Sequence, residues 1–239
     1  MTLSRIYDWF EFPHRLLATR RSLERPGARV LDIGCGNHSP SLTKKYFPGC
    51  VFHGVDNSRW NRDATDDSVM DKFFDIDLER PELLDSVENG WYDVVICSHV
   101  LEHLSDPYAV AARIARKLRP GGVLYVEVPA ERSLRFPRAR EGWMGIKGCL
   151  NFADDATHRT MVNLDRLAVT LREQGCEVGP ETNRFLWRRI LFLPAYACAG
   201  LVLRGYVPAS VIWDMIGFAK SLTSVRRPAS SPDQPESHE

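Results

Sequence analysis

The sequence predicts an α/β fold in which a mostly parallel sheet carries helices on both faces. Short apolar runs, typical of buried strands, alternate with amphipathic segments of helical spacing, and this alternation indicates a parallel sheet. The chain has 239 residues, of which 44% are hydrophobic and 26% are charged, so one domain with a large core is expected. Five apolar runs precede residue 130, at 29–33, 51–55, 72–76, 92–97 and 123–128.

Helices are predicted from their start signals. Ser39-Pro40 and Asp106-Pro107 each place a capping side chain before a proline that suits the first helical turn. Three further elements are predicted: a helix from Leu164, a sixth strand at 176–178 and a last strand within 216–225.

Four segments are predicted along the chain. The first segment is rich in aromatic residues, namely Tyr7, Trp9, Phe10 and Phe12. The last segment is polar and rich in Pro and Ser, which is typical of disorder. The segments are a helical N-terminal lid (1–28), a ligand-binding core (29–183), an apolar and basic helical insert with the last strand (184–227), and a disordered tail (228–239).

The charge balance excludes one class of partner. The chain has 31 basic and 31 acidic residues, so its formal net charge is zero and no nucleic-acid partner is expected. Segment 184–227 differs, because it carries seven basic residues and one acidic residue, a net charge of +6. The six cysteines form no C-x-x-C pair and no secretory signal is evident, so we expect a cytoplasmic protein with reduced thiols.

A glycine turn after the first strand is the strongest local signal. Residues 30–36 read Val-Leu-Asp-Ile-Gly-Cys-Gly, and a helix is predicted to start soon after them. Glycine lets the backbone pass close to a ligand, and a helix N-terminus offers N–H groups to an anion. The turn differs from a dinucleotide fingerprint, because Ser39 occupies the position of its last glycine.

Acidic residues end the next two strands. Asp56 follows the glycine turn by about 20 residues, where a carboxylate can accept both hydroxyls of a ribose. Asp77 follows the third strand and offers an acceptor for an adenine amino group. Because the carboxyl ends of parallel strands meet at one edge of an open sheet, we expect these residues and Ser98 to line one cleft.

These motifs resemble those of class I S-adenosylmethionine-dependent methyltransferases that act on small molecules or glycans. The matching segments are VLDIGCG (30–36), HGVD (53–56), DIDL (75–78), YDVVICSHVLEHL (92–104), LRPGGVLYVEVP (118–129) and the stretch that begins at His158. The resemblance implies a Rossmann-like, doubly wound sheet of seven strands with its last strand antiparallel, a helical N-terminal lid and a helical insert before the last strand. Two alternatives stay open: an NAD-dependent oxidoreductase, and a catalytically silent binding module.

The resemblance also implies a cofactor, S-adenosyl-L-methionine, and its binding residues. The glycine turn would pack against the methionine part, Asp56 would hold the ribose and Asp77 the adenine. One departure from the family is His38, which stands where a third glycine is usual, so the turn is expected to differ in detail. The predicted cofactor-binding residues are Asp32, Gly34, Cys35, Gly36, Asp56, Asn57, Asp77, Leu78 and Ser98.

Two histidines, His103 and His158, are candidates for the reaction itself. A hydroxyl nucleophile must lose its proton as it accepts a methyl group, and imidazole titrates in the useful range. We therefore predict that His103 or His158 serves as the general base for O-methylation of a small-molecule or glycan-type acceptor. The lack of an Asn-Pro-Pro-Tyr-like sequence after the fourth strand favours oxygen over nitrogen as the acceptor atom. In the alternative interpretation, Glu102 and His103 only fix the loop.

A metal site is an alternative role for the same residues. On a helix, His99, Glu102 and His103 would share one face, and with His158 they resemble the ligands of metal-assisted O-methyltransferases. The first ligand of that pattern is usually Glu, and His158 matches a histidine that is common in metal-free relatives. We therefore predict no metal.

The insert and one loop each have two interpretations. We expect 184–227 to pack over the edge of the sheet, because its apolar residues form no one-sided stripe. Peripheral contact with the anionic inner face of a membrane is the alternative. The loop 131–141 holds four arginines, which suit an anionic group on the acceptor or a solvated surface. The sequence does not indicate whether the protein is a monomer or an oligomer.

Overall fold

The computed structural model of the protein describes residues 12–58, 60–183 and 186–228, and a sheet of eight strands lies at its centre. A separate pair of short strands, β6 and β9, forms a second sheet. The strands are β1 (Arg29–Ile33), β2 (Val51–Asp56), β3 (Lys72–Asp75), β4 (Tyr92–Ser98), β5 (Leu118–Pro129), β6 (Ile146–Lys147), β7 (Cys176–Val178), β8 (Thr182–Asn183), β9 (Val207–Pro208) and β10 (Ala219–Arg226).

Helices connect these strands. Short 3-10 turns, among them Leu101–His103, Phe152–Asp154 and Ala209–Val211, lie in the loops. The α-helices are α1 (His14–Leu23), α2 (Ser39–Tyr46), α3 (Ala64–Val69), α4 (Pro107–Lys117), α5 (Leu164–Glu173), α6 (Trp187–Leu191), α7 (Leu193–Arg204) and α8 (Trp213–Ile216).

The strand order of the main sheet is β3-β2-β1-β4-β5-β10-β7, with β8 also paired to β10. The first five strands are parallel to their neighbours, whereas β10 is antiparallel to β5, β7 and β8. The predicted mostly parallel sheet with an antiparallel last strand is therefore confirmed. The predicted count of seven strands is one too few, because Pro180, which has no N–H to donate, separates β7 from β8.

Helices cover both faces of the sheet. On one face, α4 and α5 pack against each other and bury their apolar stripes, represented by Ile114 and Leu171. On the other face, α1 packs on β4 and β5 and buries Leu16 and Leu23 beside Phe52. Both clusters consist of buried and mainly aliphatic or aromatic side chains, so hydrophobic burial on two faces holds the helices against the sheet.

Two local predictions around the strand ends were wrong by small amounts. The segment after β4 does not continue as a helix; it forms the 3-10 turn Leu101–His103, and His99 precedes it in the left-handed region at φ 55°. Ser39 is the first residue of α2 and not its N-cap, because its hydroxyl donates a hydrogen bond to Asp32 instead of capping the helix.

Parts of both predicted terminal segments lie outside the described residues. Tyr7, Trp9 and Phe10 of the predicted lid are among them, as are residues 229–239 of the predicted tail. The described part of the first segment contains α1. Phe12, just before this helix, contacts Tyr46, and the centroids of the two rings are 4.6 Å apart.

The insert before β10 divides into a buried and an exposed part. Ala209 and Asp214 are buried, in agreement with the expected packing, but α7 buries only Gly200 among its twelve residues. The packing expected for the whole insert is therefore wrong for α7. Within the residues described, no helix combines the length and the apolar character needed to cross a membrane.

The turn that leads into α2 explains how a histidine replaces the third glycine. His38 has φ 54°, a conformation that costs an L-residue roughly 1–2 kcal/mol. Its Nδ1 lies 2.8 Å from Oδ2 of Asp66, a fully buried carboxylate at the start of α3. Asp66 also accepts hydrogen bonds from the backbone and hydroxyl of Ser41 and from the backbone of Asp63. These bonds hold the turn without glycine.

Replacement of Asp66 by alanine tests this support. Because three donors and His38 would lose their acceptor, we expect the free energy of unfolding to fall by about 3 kcal/mol in urea denaturation. The pKa of Asp66 is lowered, since its hydrogen bonds outweigh the opposing effect of burial. The stabilisation should therefore be present above the ordinary carboxyl pKa and be lost as the pH falls towards the lowered value. Glu173→Ala on exposed α5 surface is the control, and an equal loss there would contradict the assignment.

Candidate functional site

The glycine turn between β1 and α2 lies at the carboxyl edge of the sheet. Gly34 has φ 72°, and a side chain on it would collide with Cγ2 of Val100. A Cβ on Gly36 would lie 2.7 Å from the carbonyl oxygen of Trp60. Both glycines therefore make room for atoms of the protein itself, which the sequence did not reveal. Their contact with the methionine part of a cofactor remains a prediction.

Asp32 is a buried carboxylate directly before this turn. It accepts a hydrogen bond from Ser39 Oγ, and Arg15 Nη2 donates to the same hydroxyl at 3.1 Å. Burial raises the pKa of Asp32 to about 6, and the nearby charge of Asp56 raises it further against the opposing effects of Arg15 and Ser39. A buried carboxylate that lacks a full counter-charge is stabilised by a cationic ligand.

The other predicted cofactor residues lie at neighbouring strand ends. Asp56 ends β2, and its Oδ1 accepts hydrogen bonds from the backbone and hydroxyl of Ser58. Asp77 accepts from the backbone N–H of Glu79, and it precedes the buried Leu78. Parallel pairing of β1 with β2 and of β2 with β3 brings these ends to one edge. The ends of β1, β2 and β3 therefore lie side by side, and the binding of a cofactor there stays a prediction.

Three further predicted positions differ in what they can contact. The Cys35 side chain is buried in the core next to Gly54, and burial raises the pKa of its thiol to about 12, so only its backbone can face a ligand. Asn57 is exposed beside Asp56. Ser98 ends β4, and its hydroxyl lies 3.4 Å from Oε1 of Glu127 on the adjacent strand β5.

Two buried carboxylates close to Ser98 share one histidine. His99 Nδ1 lies 3.0 Å from Oε1 of Glu102, and its Nε2 lies 3.0 Å from Oε1 of Glu127. Burial alone would lower the pKa of His99, but the hydrogen bond to Glu102 and the close negative charges of Glu102 and Glu127 raise it to about 9. At neutral pH His99 is therefore an imidazolium ion that bridges β4 to β5.

The network continues from Glu127 to the N-terminal helix. Tyr125 donates its hydroxyl proton to Oε2 of Glu127 at 2.5 Å, and His14 Nδ1 lies 2.9 Å from the tyrosine oxygen. His14 belongs to α1, as does Arg15 near Asp32. One helix thus contacts both polar groups of the site, at Tyr125 and at Ser39.

The two histidines predicted for the reaction lie side by side. The ring centroids of His103 and His158 are 4.9 Å apart. His158 Nδ1 donates to the carbonyl of Phe152 at 2.6 Å, because a carbonyl oxygen only accepts. The Nε2 of neutral His158 is therefore unprotonated.

Hydrogen bonding fixes the tautomer of His103 in the same way. The Thr157 hydroxyl donates to Asp155 at 2.5 Å, so its oxygen accepts from His103 Nδ1 at 2.9 Å. Hydrogen bonds from Thr157 keep the pKa of Asp155 low despite its burial, which maintains a carboxylate at the end of this chain. The neutral form of His103 therefore has its free lone pair on Nε2, as a general base requires.

Part of the alternative metal set is brought together. Ligand atoms of Glu102, His103 and His158 lie within 4.8 Å of one another, and Glu102 Oε2 is a buried atom without a hydrogen-bond partner. This donor set suits a divalent ion of intermediate character. His99 does not join it, because both of its nitrogens face glutamates. The predicted four-residue set is therefore reduced to three residues.

Aromatic and basic residues surround this edge of the sheet. The Trp213 ring lies 5.6 Å from that of His99 and stacks on Phe218, while its indole N–H donates to the carbonyl of Cys149. In the arginine-rich loop, Arg132 donates to Asn183 and Arg138 to the carbonyl of Ala153. Two of the four arginines therefore hold neighbouring segments together.

Sequence reasoning missed several members of the site. Glu127 is a charged residue inside an apolar strand, which was an available signal of a buried ion pair. His14, Arg15, Tyr125 and Thr157 gave no such signal, because their partners are distant in the sequence or are ordinary loop residues.

Replacement of Asp32 by asparagine should stabilise the ligand-free protein. The raised pKa favours protonated Asp32 in the folded state, so wild-type stability decreases as the pH rises through about 6. Asparagine removes the cost of a buried negative charge. We expect the free energy of unfolding to rise by about 2–3 kcal/mol above that pH and to change little at about pH 4. Urea unfolding at both pH values measures the difference, with Asp165→Asn as the exposed control. A gain that does not depend on pH would contradict the buried-charge explanation.

The family model described as a methyltransferase domain matches residues 1–180 of this chain. A ubiquinone biosynthesis O-methyltransferase of Ralstonia nicotianae is 32% identical over 187 residues, which cover 72% of this chain and 76% of the relative. A 27-O-demethylrifamycin SV methyltransferase of Amycolatopsis mediterranei is 30% identical over 169 residues, which cover 64% of this chain and 55% of the relative.

Several solved structures share this fold. The putative methyltransferase in complex with the Haloferax volcanii Trm112 activator has a TM-score of 0.60 at 16% identity, with 94% of this chain and 96% of that chain covered. The [4+2]-cyclase SpnF has a TM-score of 0.55 at 20% identity, with 90% and 80% covered. A SAM-dependent methyltransferase from Archaeoglobus fulgidus has a TM-score of 0.51 at 17% identity, with 94% and 100% covered. These likenesses support the fold alone.

The family match and the named relatives decide between the cofactor alternatives, in favour of S-adenosylmethionine over a nicotinamide. With the glycine turn, the acidic strand ends and the sheet order in place, this chain belongs to the methyltransferase-domain family and is a class I S-adenosylmethionine-dependent methyltransferase.

Proposed function

We propose that the protein methylates a hydroxyl oxygen of a small-molecule acceptor, with glycan-type hydroxyls among the candidates. The observation that carries the proposal is the fixed tautomer of His103, whose Nδ1–H is held by Thr157 and whose Nε2 is left to accept a proton. Two of the relatives are named as O-methyltransferases or by a methylated oxygen position, which supports oxygen as the acceptor atom.

In the proposed reaction, His103 removes the acceptor proton. S-adenosylmethionine, when bound, supplies a methyl group on a positively charged sulfur, so the S–CH₃ bond breaks as the O–CH₃ bond forms. His103 Nε2 takes the hydroxyl proton, and Thr157 and Asp155 stabilise the imidazolium that results. His158, with its own unprotonated Nε2 beside the first ring, is the second candidate base. Positioning of the acceptor against the methyl group contributes the rest of the rate enhancement.

The residues at the strand ends fit a cationic cofactor. Asp32 is buried without a full counter-charge, and Asp56 lies close enough to raise its pKa. In this proposal, Asp32 and the glycine turn face the positively charged methionine part, Asp56 binds the ribose, and Asp77 with Leu78 binds the adenine. Gly34, Cys35, Gly36, Asn57 and Ser98 complete the cleft through backbone or side-chain contacts.

Removal of the Asp56 side chain tests the cofactor assignment. We expect Asp56→Ala to weaken S-adenosylmethionine binding at least tenfold in calorimetry, because the ribose hydroxyls lose a charged acceptor. Glu173→Ala should bind as wild type. Equal affinities for wild type and Asp56→Ala would show that the ribose lies elsewhere.

Removal of the Thr157 hydroxyl tests the base. Thr157→Val should lower kcat by about tenfold to a hundredfold and leave cofactor affinity unchanged, because His103 loses the bond that orients it. Thr157→Ser, which keeps the hydroxyl, should retain most of the rate. The readout is transfer of labelled methyl groups to a panel of phenols, hydroxylated natural products and sugar nucleotides. Full turnover by a variant with alanine at both His103 and His158 would mean that positioning alone suffices.

We propose that this reaction needs no metal. The competing arrangement would place a divalent ion between Glu102, His103 and His158, where it would polarise the acceptor hydroxyl. We expect no stoichiometric metal in the purified protein and unchanged turnover after chelation. Zinc, magnesium or manganese retained by wild type and lost in Glu102→Gln would overturn this proposal.

A further inference from the structure

An exposed apolar surface is formed by residues outside the proposed cofactor-binding set. It consists of the hairpin 143–147 and helix α7, and we refer to it as the insert surface. Its most exposed side chains are Met144 and Val202, each 83% exposed, and Leu203, which is 80% exposed. Apolar side chains of this size are rarely left to solvent together in a soluble protein unless they meet a partner.

Backbone pairing joins the two parts of the insert surface. Strand β6, in the hairpin, pairs with β9, which follows α7 in the chain. Val207 donates its backbone N–H to the carbonyl of Gly145 at 2.8 Å. Gly200 of α7 packs closely on the segment 206–208, where a Cβ would lie 3.0 Å from the carbonyl oxygen of Tyr206. The hairpin and the helix therefore form one continuous surface.

Helix α7 leaves most of its apolar side chains in solvent. Its one buried residue, Gly200, faces the protein, whereas eight of its twelve residues are exposed, and Arg204 is the only charged residue among those eight. A surface helix usually buries its apolar residues and exposes polar ones, so the exposure of α7 is unusual. The exposed uncharged residues are Pro194, Ala195, Cys198, Ala199, Leu201, Val202 and Leu203.

The tip of the hairpin presents a methionine in an unfavourable backbone conformation. Trp143 and Ile146 exchange two backbone hydrogen bonds, each 2.8 Å long, across a two-residue turn. Met144 and Gly145 form that turn with φ values of 46° and 77°. Asparagine or glycine suits the first position, so an exposed methionine there is not explained by turn chemistry.

Basic residues accompany these apolar side chains. Residues 138–147 and 187–215 together contain six basic and two acidic residues, a net charge of +4. Lys147 and Arg204 are exposed within the insert surface itself. Of the two acids, Asp214 is buried and paired with Arg189 at 3.3 Å, and Glu141 lies beside Arg140. An anionic partner is therefore favoured.

We propose that the insert surface docks on an anionic lipid membrane, with α7 lying in the plane of the interface. Twelve residues are too few to span a bilayer, but an exposed apolar helix with flanking lysine and arginine suits interfacial binding. A second copy of the chain is the less favourable occupant, because a symmetric contact would bring two surfaces of the same positive charge together. This inference does not depend on the acceptor of the methyl group.

Vesicle flotation of the full chain tests the proposal. Wild type should float with vesicles of phosphatidylcholine mixed with phosphatidylglycerol, remain unbound with phosphatidylcholine alone, and bind less at high salt. Each of Lys147→Gln and Arg204→Gln should weaken binding about fivefold. Met144→Asn, which suits the same turn, should weaken it about tenfold, and Val202→Asp with Leu203→Asp should abolish it.

Matched controls separate docking from loss of structure. Val169→Asp alters a valine that is 51% exposed on α5, outside the insert surface, and should float as wild type. All variants should retain S-adenosylmethionine binding in calorimetry, which monitors the fold independently. Absence of wild-type flotation, equal flotation with neutral vesicles, or undiminished binding by the Val202 and Leu203 variant would each overturn the proposal. A dimer of the wild type in sedimentation velocity would also overturn the proposal, if the Val202 and Leu203 variant were monomeric and the dimer did not bind vesicles.

Discussion

The ion pairs of His99 with Glu102 and Glu127 are the interaction on which the site depends. Both glutamates are buried, and removal of one partner from such a group leaves an uncompensated charge in the interior. The histidine therefore links the loop after β4 to strand β5, and Tyr125 extends the link to α1. The fold supplies the strands, but these charges set the position of the loop that carries His103.

Local signals predicted the fold, and long-range contacts explain what was missed. Strands β1 and β7 have the predicted bounds, because a run of apolar residues between turn residues is sufficient to define them. The contact between His14 and Tyr125 spans 111 residues, and no local pattern reports it. The sequence shows that His38 replaces the usual third glycine of the turn. It does not show how the turn is held, because the partner of His38, Asp66, lies 28 residues later. The apolar sequence of α7 does not indicate whether the helix is buried or exposed.

The chemistry of the site rests on a few side chains and not on the fold. A [4+2]-cyclase shares this architecture with methyltransferases, so the sheet alone does not determine the reaction. Here the distinguishing features are the buried Asp32 beside the glycine turn and the fixed imidazole of His103 at the end of the next loop. In the proposed function, Asp32 faces the positive charge of the cofactor and His103 takes the proton of the acceptor. Binding and proton transfer are then assigned to different side chains at the edge of the sheet.

Helix α1 touches the site at two points, through Arg15 on Ser39 and through His14 on Tyr125. Ser39 in turn donates to Asp32, so the charge state of that carboxylate affects how strongly the helix is held. A cationic ligand that keeps Asp32 ionised therefore changes the affinity of the helix for the sheet, and by thermodynamic reciprocity the attached helix changes the affinity for the ligand by the same factor. Attachment of α1 to the sheet and binding of a cation beside Asp32 are thus linked equilibria.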